Sequence, residues 1–363
     1  VGNSYGRFMT TVTYPYDEQT QSWTSTSSYP NTKLKPERTK SWEVGLDARI
    51  LNDISLNLTY YRSNTYNQTF YADLSLSSGY SNIPIQSGNI MNEGLEMSLG
   101  YNKQWKDFSF NTNYTLTWNK NRVKRLADGV YNYATGQPIQ MPELSPLTYG
   151  HTDARLILRV GGSMGDVYGQ RLLKRDLNGY ILNEEGVGLA MENKETYLGS
   201  ILPKMNMGWS LGFGYKGVNL GMTFTGRFGG IVISETQSVL DAAGVSKVSA
   251  DVRDAGGVQI NQSKVSAQTY YQTIQGTAAY YTYSATNVRL GELSLSYTLP
   301  KKWFDNKVGM TVGLVGKNLW MIYCKAPFDP ELTTSAASNF YQGFDAYMLP
   351  STRNFGFNVK FQF

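Results

Sequence analysis

The chain has 363 residues, a formal net charge of +5 and a single cysteine, Cys324. A mean hydropathy of −0.37, with no apolar run near the ~20 residues of a spanning helix, excludes a helical membrane protein, and one cysteine excludes an intrachain disulfide framework. The basic excess lacks a dense Lys/Arg run, so it gives no footprint for nucleic acid.

Residues 1–40 are rich in Ser, Thr, Tyr and Pro and read as a loop region. From 41 to 363 the chain reads as one succession of strands. Trp42, Val44, Leu46, Ala48 and Ile50 alternate with Glu43, Gly45, Asp47 and Arg49. The same period of two returns at Ile54 to Tyr60 and at Leu95 to Tyr101. Next, Phe108, Phe110, Tyr114, Leu116 and Trp118 oppose Ser109, Asn111, Asn113, Thr115 and Thr117. Met205, Met207, Trp209, Leu211, Phe213 and Tyr215 oppose Asn206, Gly208, Ser210 and Gly212. Leu220 to Phe228, Leu293 to Leu299 and Val308 to Leu314 continue the pattern. The chain closes on Phe355, Phe357, Val359, Phe361 and Phe363 against Gly356, Asn358, Lys360 and Gln362.

Such alternation marks a strand between two different solvents. Several of these runs exceed ten residues. That is longer than the ~5–6 of a sandwich strand and suits the ~9–11 of a tilted membrane strand. Connections alternate as well. Those at Leu51–Asp53, Gln104–Asp107 and Lys216–Val218 are tight, and Pro300–Asn306 is a little longer. Long polar stretches lie near 72–90, 125–150, 174–203, 233–285 and 323–349. Short turns on one side and long loops on the other describe an outer-membrane barrel. The expected fold is therefore all-β, an antiparallel transmembrane β-barrel. Its lipid-facing side is read from Phe110, Tyr114, Trp118, Trp209, Leu211, Phe213, Phe355, Phe357, Phe361 and Phe363.

Direction parity requires an even number of strands between the run at 108–118 and the run at 204–215. A short hairpin is expected there, 151–160 down and 163–173 up, turning at Gly161-Gly162. That gives about eleven strands, with the last one running inward and Phe363 on the periplasmic side. A chain without a signal peptide is expected to be part of an exported product.

The motifs and their order resemble the C-terminal half of a SusC/RagA-type TonB-dependent transporter, from about Leu34 to Phe363. They are L-K-P-E (Leu34–Glu37), W-E-V-G (Trp42–Gly45), Y-Y-R (Tyr60–Arg62) and G-N-I-M-N-E-G-L-E (Gly88–Glu96). V-G-G-S-M-G-D-V-Y-G (Val160–Gly169) and R-D-L-N-G (Arg175–Gly179) follow. The last are N-V-R-L-G-E-L-S-L-S-Y-T-L-P (Asn287–Pro300), G-K-N-L-W (Gly316–Trp320) and D-P-E (Asp329–Glu331). The resemblance implies a barrel of roughly 22 strands around an N-terminal plug, of which this chain would form half. It implies import of glycan or peptide fragments, a SusD-like lipoprotein lid and energy from TonB through the N-terminal region. The plug and the first strands are expected from a separate N-terminal part. Glu43, Asp47, Arg49 and Glu96 are expected to meet that plug.

Tyr270, Tyr271, Tyr280, Tyr281 and Tyr283 crowd one loop, and Tyr341, Phe344 and Tyr347 crowd another. Sugar rings stack on aromatic faces, so these are the substrate-contact candidates, weighed against girdle or lid-contact roles. Asp176 is the one metal candidate. With Glu184 and Glu185 beside it, D-L-N-G still lacks the ligand set of a calcium loop, and an Asn-Gly turn is the alternative. No cofactor is expected. His151 is the only histidine, which without partners is a rim side chain rather than a base or ligand. The Gly pairs at 161–162 and 229–230 precede no Lys-bearing helix and are not phosphate loops. Lys120–Arg125, the densest basic cluster, is read as a solvated strand end facing lipid headgroups. The functions in play are an energised importer, a passive porin or barrel adhesin, and a secreted carbohydrate-binding sandwich. None of them breaks a bond.

Overall fold

The computed structural model describes residues 16–17, 22–23, 35–73, 82–126, 143–184, 188–332, 334–335 and 339–363. Nine strands form its main sheet. They are β1 (Arg38–Ile50), β2 (Ile54–Asp73), β3 (Asn82–Trp105), β4 (Phe108–Arg125) and β5 (Met205–Tyr215). The series continues with β6 (Val218–Phe228), β7 (Asn287–Leu299), β8 (Gly309–Cys324) and β9 (Asn354–Gln362). The nine strands follow one another across the sheet in chain order, and every pairing is antiparallel. Most of residues 1–40 lie outside the described residues, and β1 already begins at Arg38.

The expected hairpin at 151–173 is not in this sheet. β4 pairs directly with β5 from Met205↔Trp118 to Tyr215↔Phe108. Zero is also an even number, so parity holds with nine strands in place of about eleven. The hairpin itself exists, with Arg155–Arg159 against Asp166–Leu173 and a turn at Gly161 (φ 92°). It belongs to a separate four-stranded sheet with Glu143–Thr148 and Met191–Ser200. The sequence holds the reason. Leu156, Ile157 and Leu158 are consecutive and all buried, as in a strand covered on both faces. A wall strand alternates instead.

Register explains the two faces of the main sheet. Leu46, Leu58, Met97, Leu116 and Met207 stand in one cross-strand row. Phe213, Leu220, Leu295, Leu314 and Phe357 stand in another. Along β4 the apolar face runs from Phe108 to Trp118. At ~3.4 Å per residue and a ~45° tilt this spans about 24 Å, the height of an outer-membrane apolar band. The opposite face is small and polar. A Cβ on Gly100 would meet Ser55, one on Gly212 would meet Asn111, and one on Gly221 would meet Ser294.

The tight turns sit at one end of the sheet. Leu51 (φ 52°) with Asn52 (φ 61°), and Lys216 (φ 44°) with Gly217 (φ 90°), have the paired positive φ of two-residue hairpin turns. At the other end the connections fold into a cap. It contains the four-stranded sheet and three helices, α1 (Glu235–Ala242), α2 (Lys247–Asp254) and α3 (Ala267–Ile274). Ser234, Ser246 and Ser266 cap the helix starts, each accepting from the backbone N–H of the third residue of the helix. A small sheet joins Ile231–Ser234 antiparallel to Thr282–Ser284 and parallel to Phe344–Asp345. The cap leans on the polar side of the wall. Ile90 and Val123, on that side of β3 and β4, pack with Leu144 and Leu158 of the cap.

Candidate functional site

The mouth of the wall is organised around Arg289. Gly291 is one extra residue opposite β6, where Glu292 pairs with Thr223 and Leu290 with Phe224, and on β8 it faces two residues, Asn318 and Leu319, between Lys317 and Trp320. This bulge lets Leu290 and Leu293 share the apolar face while Arg289 and Asn287 turn to the polar one. Arg289 donates to both carboxylate oxygens of Asp329 at 2.9 and 2.8 Å. It also donates to Asn287 Oδ1 at 3.2 and 3.1 Å. Asn287 Nδ2 donates in turn to Glu331 Oε1 at 3.0 Å. Two sequence motifs some 40 residues apart, N-V-R and D-P-E, thus form one network. The Asp329 carboxyl is opposed by burial, but the Arg289 bonds and the Glu331 N–H outweigh it and hold the group below the usual carboxylate range.

Beside this network a cavity of about 340 Å³ is lined by Asn206, Arg227, Glu331 and Gln342. Arg227 donates to the Ile201 carbonyl at 3.0 Å. Opposed charges and amides in one open recess can grip hydroxyls, amides or chain ends of a polar oligomer. Sequence reasoning quoted D-P-E and N-V-R only as family marks. The available signal was their buried charge complementarity, which becomes visible only when the strands are in register.

The aromatic candidates occupy the cap's interior. Tyr271 and Tyr281 are 7% and 3% exposed and join Leu173, Ile260 and Ile274, with Tyr270 and Tyr280 packed against them. Phe344, 3% exposed, packs with Tyr149 and Leu156, and Tyr341 lies at the edge of the same cluster. Tyr283 meets Phe328 edge-on at 5.7 Å. Tyr280 Oη accepts from the Leu173 N–H at 3.2 Å. Burial pushes the Tyr283 hydroxyl up to about 12 and that of Tyr281 higher, so both stay protonated near neutrality. Tyr347 is the exposed member, at 59%, and donates to Glu235 at 3.2 Å. The Tyr281 hydroxyl is buried and bonds to no group among the described residues. Tyr281→Phe is expected to leave the unfolding midpoint of the full-length protein unchanged or slightly raised. Tyr281→Ala is expected to lower stability by about 3–5 kcal/mol. Thermal unfolding of both variants checks this.

Asp176 is engaged by its own turn. Its Oδ1 accepts from Asn178 and Tyr180 N–H at 2.9 and 2.8 Å, and Gly179 sits at φ 85°. Glu185 lies outside the described residues, and those residues hold no cluster of three metal-ligating side chains. His151 lies exposed in a turn of the cap rather than on a wall strand. Phe110 and Phe213 meet at 5.1 Å and Trp209 and Phe224 at 5.8 Å on the apolar face. Tyr114 pairs with Trp209, and Trp118 and Leu211 alternate onto the same face through their pairings with Met205 and Thr112. Phe355, Phe357 and Phe361 of β9, and Phe363 after it, are 54–96% exposed. None of these ten residues enters a buried cluster.

A nine-stranded meander with one apolar face, tight turns at one end and a folded cap at the other is matched by a family model. The model of the TonB dependent receptor-like β-barrel aligns to residues 2–319. The chain belongs to this family. It is an outer-membrane β-barrel segment. TonB-dependent receptor P3 of Formosa agariphila is 26% identical over 92% of this chain and 35% of its own length. TonB-dependent receptor SusC of Bacteroides thetaiotaomicron is 27% identical over 132 residues, covering 36% of this chain and 12% of its own length. The solved RagAB peptide importer in its closed-closed state shares the fold, with a TM-score of 0.66 at 18% identity over 97% of this chain and 38% of that one. The chain spans about a third of the length of the curated relatives that it matches along most of its own.

Proposed function

We propose that the chain forms part of the wall and mouth of an active importer that takes nutrient oligomers, glycan or peptide fragments, across the outer membrane. The observation that carries this is the nine-stranded sheet with a continuous apolar face and two edges, β1 and β9, that are unpaired among the described residues. In hydrocarbon each unsatisfied edge group costs several kcal/mol, so further strands of the same protein close the wall. Phe110, Leu211, Phe357 and their row-mates then face lipid. Asp47, Glu96 and the polar glycine face line the lumen against a plug. A TonB-coupled plug supplies the energy, and a SusD-like lipoprotein covers the cap. The RagAB fold likeness and the SusC relative support this division of labour.

A cap that packs on the polar side of the wall favours a gated path over an open pore. Uptake of labelled oligomers by cells carrying the full-length gene tests the reading. Accumulation is expected to stop when the proton-motive force is collapsed or TonB is deleted. Undiminished uptake in de-energised cells would make the protein a passive porin.

A further inference from the structure

Six cations stand just beyond the apolar band on the first four wall strands. Alternation puts Arg38 and Lys40 of β1, Arg62 of β2, and Lys120, Arg122 and Lys124 of β4 on the same side as Leu46, Leu58 and Leu116. Register aligns them. Trp42, Arg62, Glu93 and Lys120 form one cross-strand row, and Lys40, Asn64, Met91 and Arg122 form the next. Glu93 is the single carboxylate in these rows, 3.8 Å from Lys120. Lys40 sits over the Tyr66 ring. Arg62, Arg122 and Lys124 make no ion pair or hydrogen bond among the described residues.

On the neighbouring strands β5 and β6, Met205 and Phe228 continue the row of Trp118, just below the cations, and carry no charge. A cavity of about 800 Å³ adjoins the patch, and Trp118, Lys120, Arg122 and Lys204 are part of its lining. Asp166 also lines that cavity. Its carboxylate already accepts from the Ser163 N–H at 2.8 Å and the Tyr197 hydroxyl at 3.1 Å.

Unpaired cations directly above an apolar belt, beside a Trp and a cavity, complement one kind of molecule: an amphiphile whose anionic headgroup sits at the rim and whose tails lie along the belt. Guanidinium and ammonium groups both bind phosphate, and each cation near a charged surface adds to the attraction. We propose that this patch holds an outer-leaflet lipid with a net-negative phosphate headgroup, seated beside Trp118. The assignment rests on the apolar face being the lipid-facing one.

The test uses the full-length protein in detergent, titrated with phosphatidylglycerol or phosphatidylcholine and read by native mass spectrometry. The expected result is retention of phosphatidylglycerol over phosphatidylcholine by about ten-fold or more. Lys120→Gln with Arg122→Gln and Lys124→Gln is expected to abolish that preference. Lys120→Arg with Lys124→Arg is expected to keep it. Equal retention of the two lipids by the wild type, or an unchanged preference in the triple variant, would overturn the proposal. So would displacement of the lipid by inorganic phosphate at equal concentration, which would mark a free-anion site. Heat-modifiable gel migration reports whether each variant is assembled, and if the triple variant is not, Arg122→Gln alone decides by the same criterion. Failure of the wall reading is distinguishable, because the protein would then stay in solution without detergent.

Discussion

Asp329→Ala is expected to destabilise the mouth by about 3–5 kcal/mol, the cost of leaving a buried charge uncompensated. Arg289 and Asp329 have side chains only 11% and 8% exposed, and Arg289 reaches no second carboxylate closer than Glu331 at 3.4 Å. The paired replacement Arg289→Met with Asp329→Leu is expected to recover most of the loss, because two apolar groups need no partner. Limited proteolysis and thermal unfolding of the full-length protein measure both. The pH dependence follows from the same geometry. The folded Asp329 carboxyl lies below its ordinary value of 3.8. Its contribution is therefore present above that value and fades as pH falls through the lower, folded one. Stability of the mouth should be flat from neutrality down to about pH 4 and decline below it in the wild type. The paired apolar variant should lack that decline. A single alanine variant as stable as the wild type would show that the network adds nothing.

The second large effect concerns the wall. Leu211 stands mid-strand on the apolar face, level with Thr112 of β4 and Met222 of β6. Leu211→Lys is expected to cost about 2–4 kcal/mol, the penalty for a cation near the bilayer midplane, and to deplete the heat-modifiable form in outer-membrane fractions. Ser210→Lys, one residue away, points to the polar side, where Asn113 and Thr223 are its cross-strand neighbours. It is expected to assemble normally. If the two lysines behaved alike, the faces would have been assigned wrongly.

The wall was legible because two solvents imprint a period of two on the sequence. The runs at Phe108–Trp118 and Met205–Tyr215 predicted the paired strands that the structure contains. The cap was illegible by the same criterion. R-L-I-L-R at Arg155–Arg159 carries no alternation, and counting it as a wall strand produced the two surplus strands. The helices between Glu235 and Ile274 were read as polar loop, although Ser234, Ser246 and Ser266 are N-cap residues ahead of them. Each helix is only eight residues long, too short for a periodic pattern to stand out. The tyrosine clusters were visible as clusters. Their burial was not, because it depends on Leu173, Ile181 and Met191 arriving from another loop. The Arg289–Asp329 pair was hidden for a related reason, since its partners meet through a bulge that composition does not announce.

The small sheet of the cap has a consequence for biogenesis. Ile233 pairs with Phe344, and Ser234 Oγ donates to Asp345 at 2.6 Å, yet these residues are 111 positions apart. Bringing ends so distant together is entropically costly for a free chain and far less so once β6, β7 and β8 have threaded the bilayer and fixed their outer ends. The cap is therefore expected to close late, after the strands that bring its two ends together have paired. A chain stalled midway would leave Val232, Ile233 and Phe344, all buried in the finished cap, without their cover.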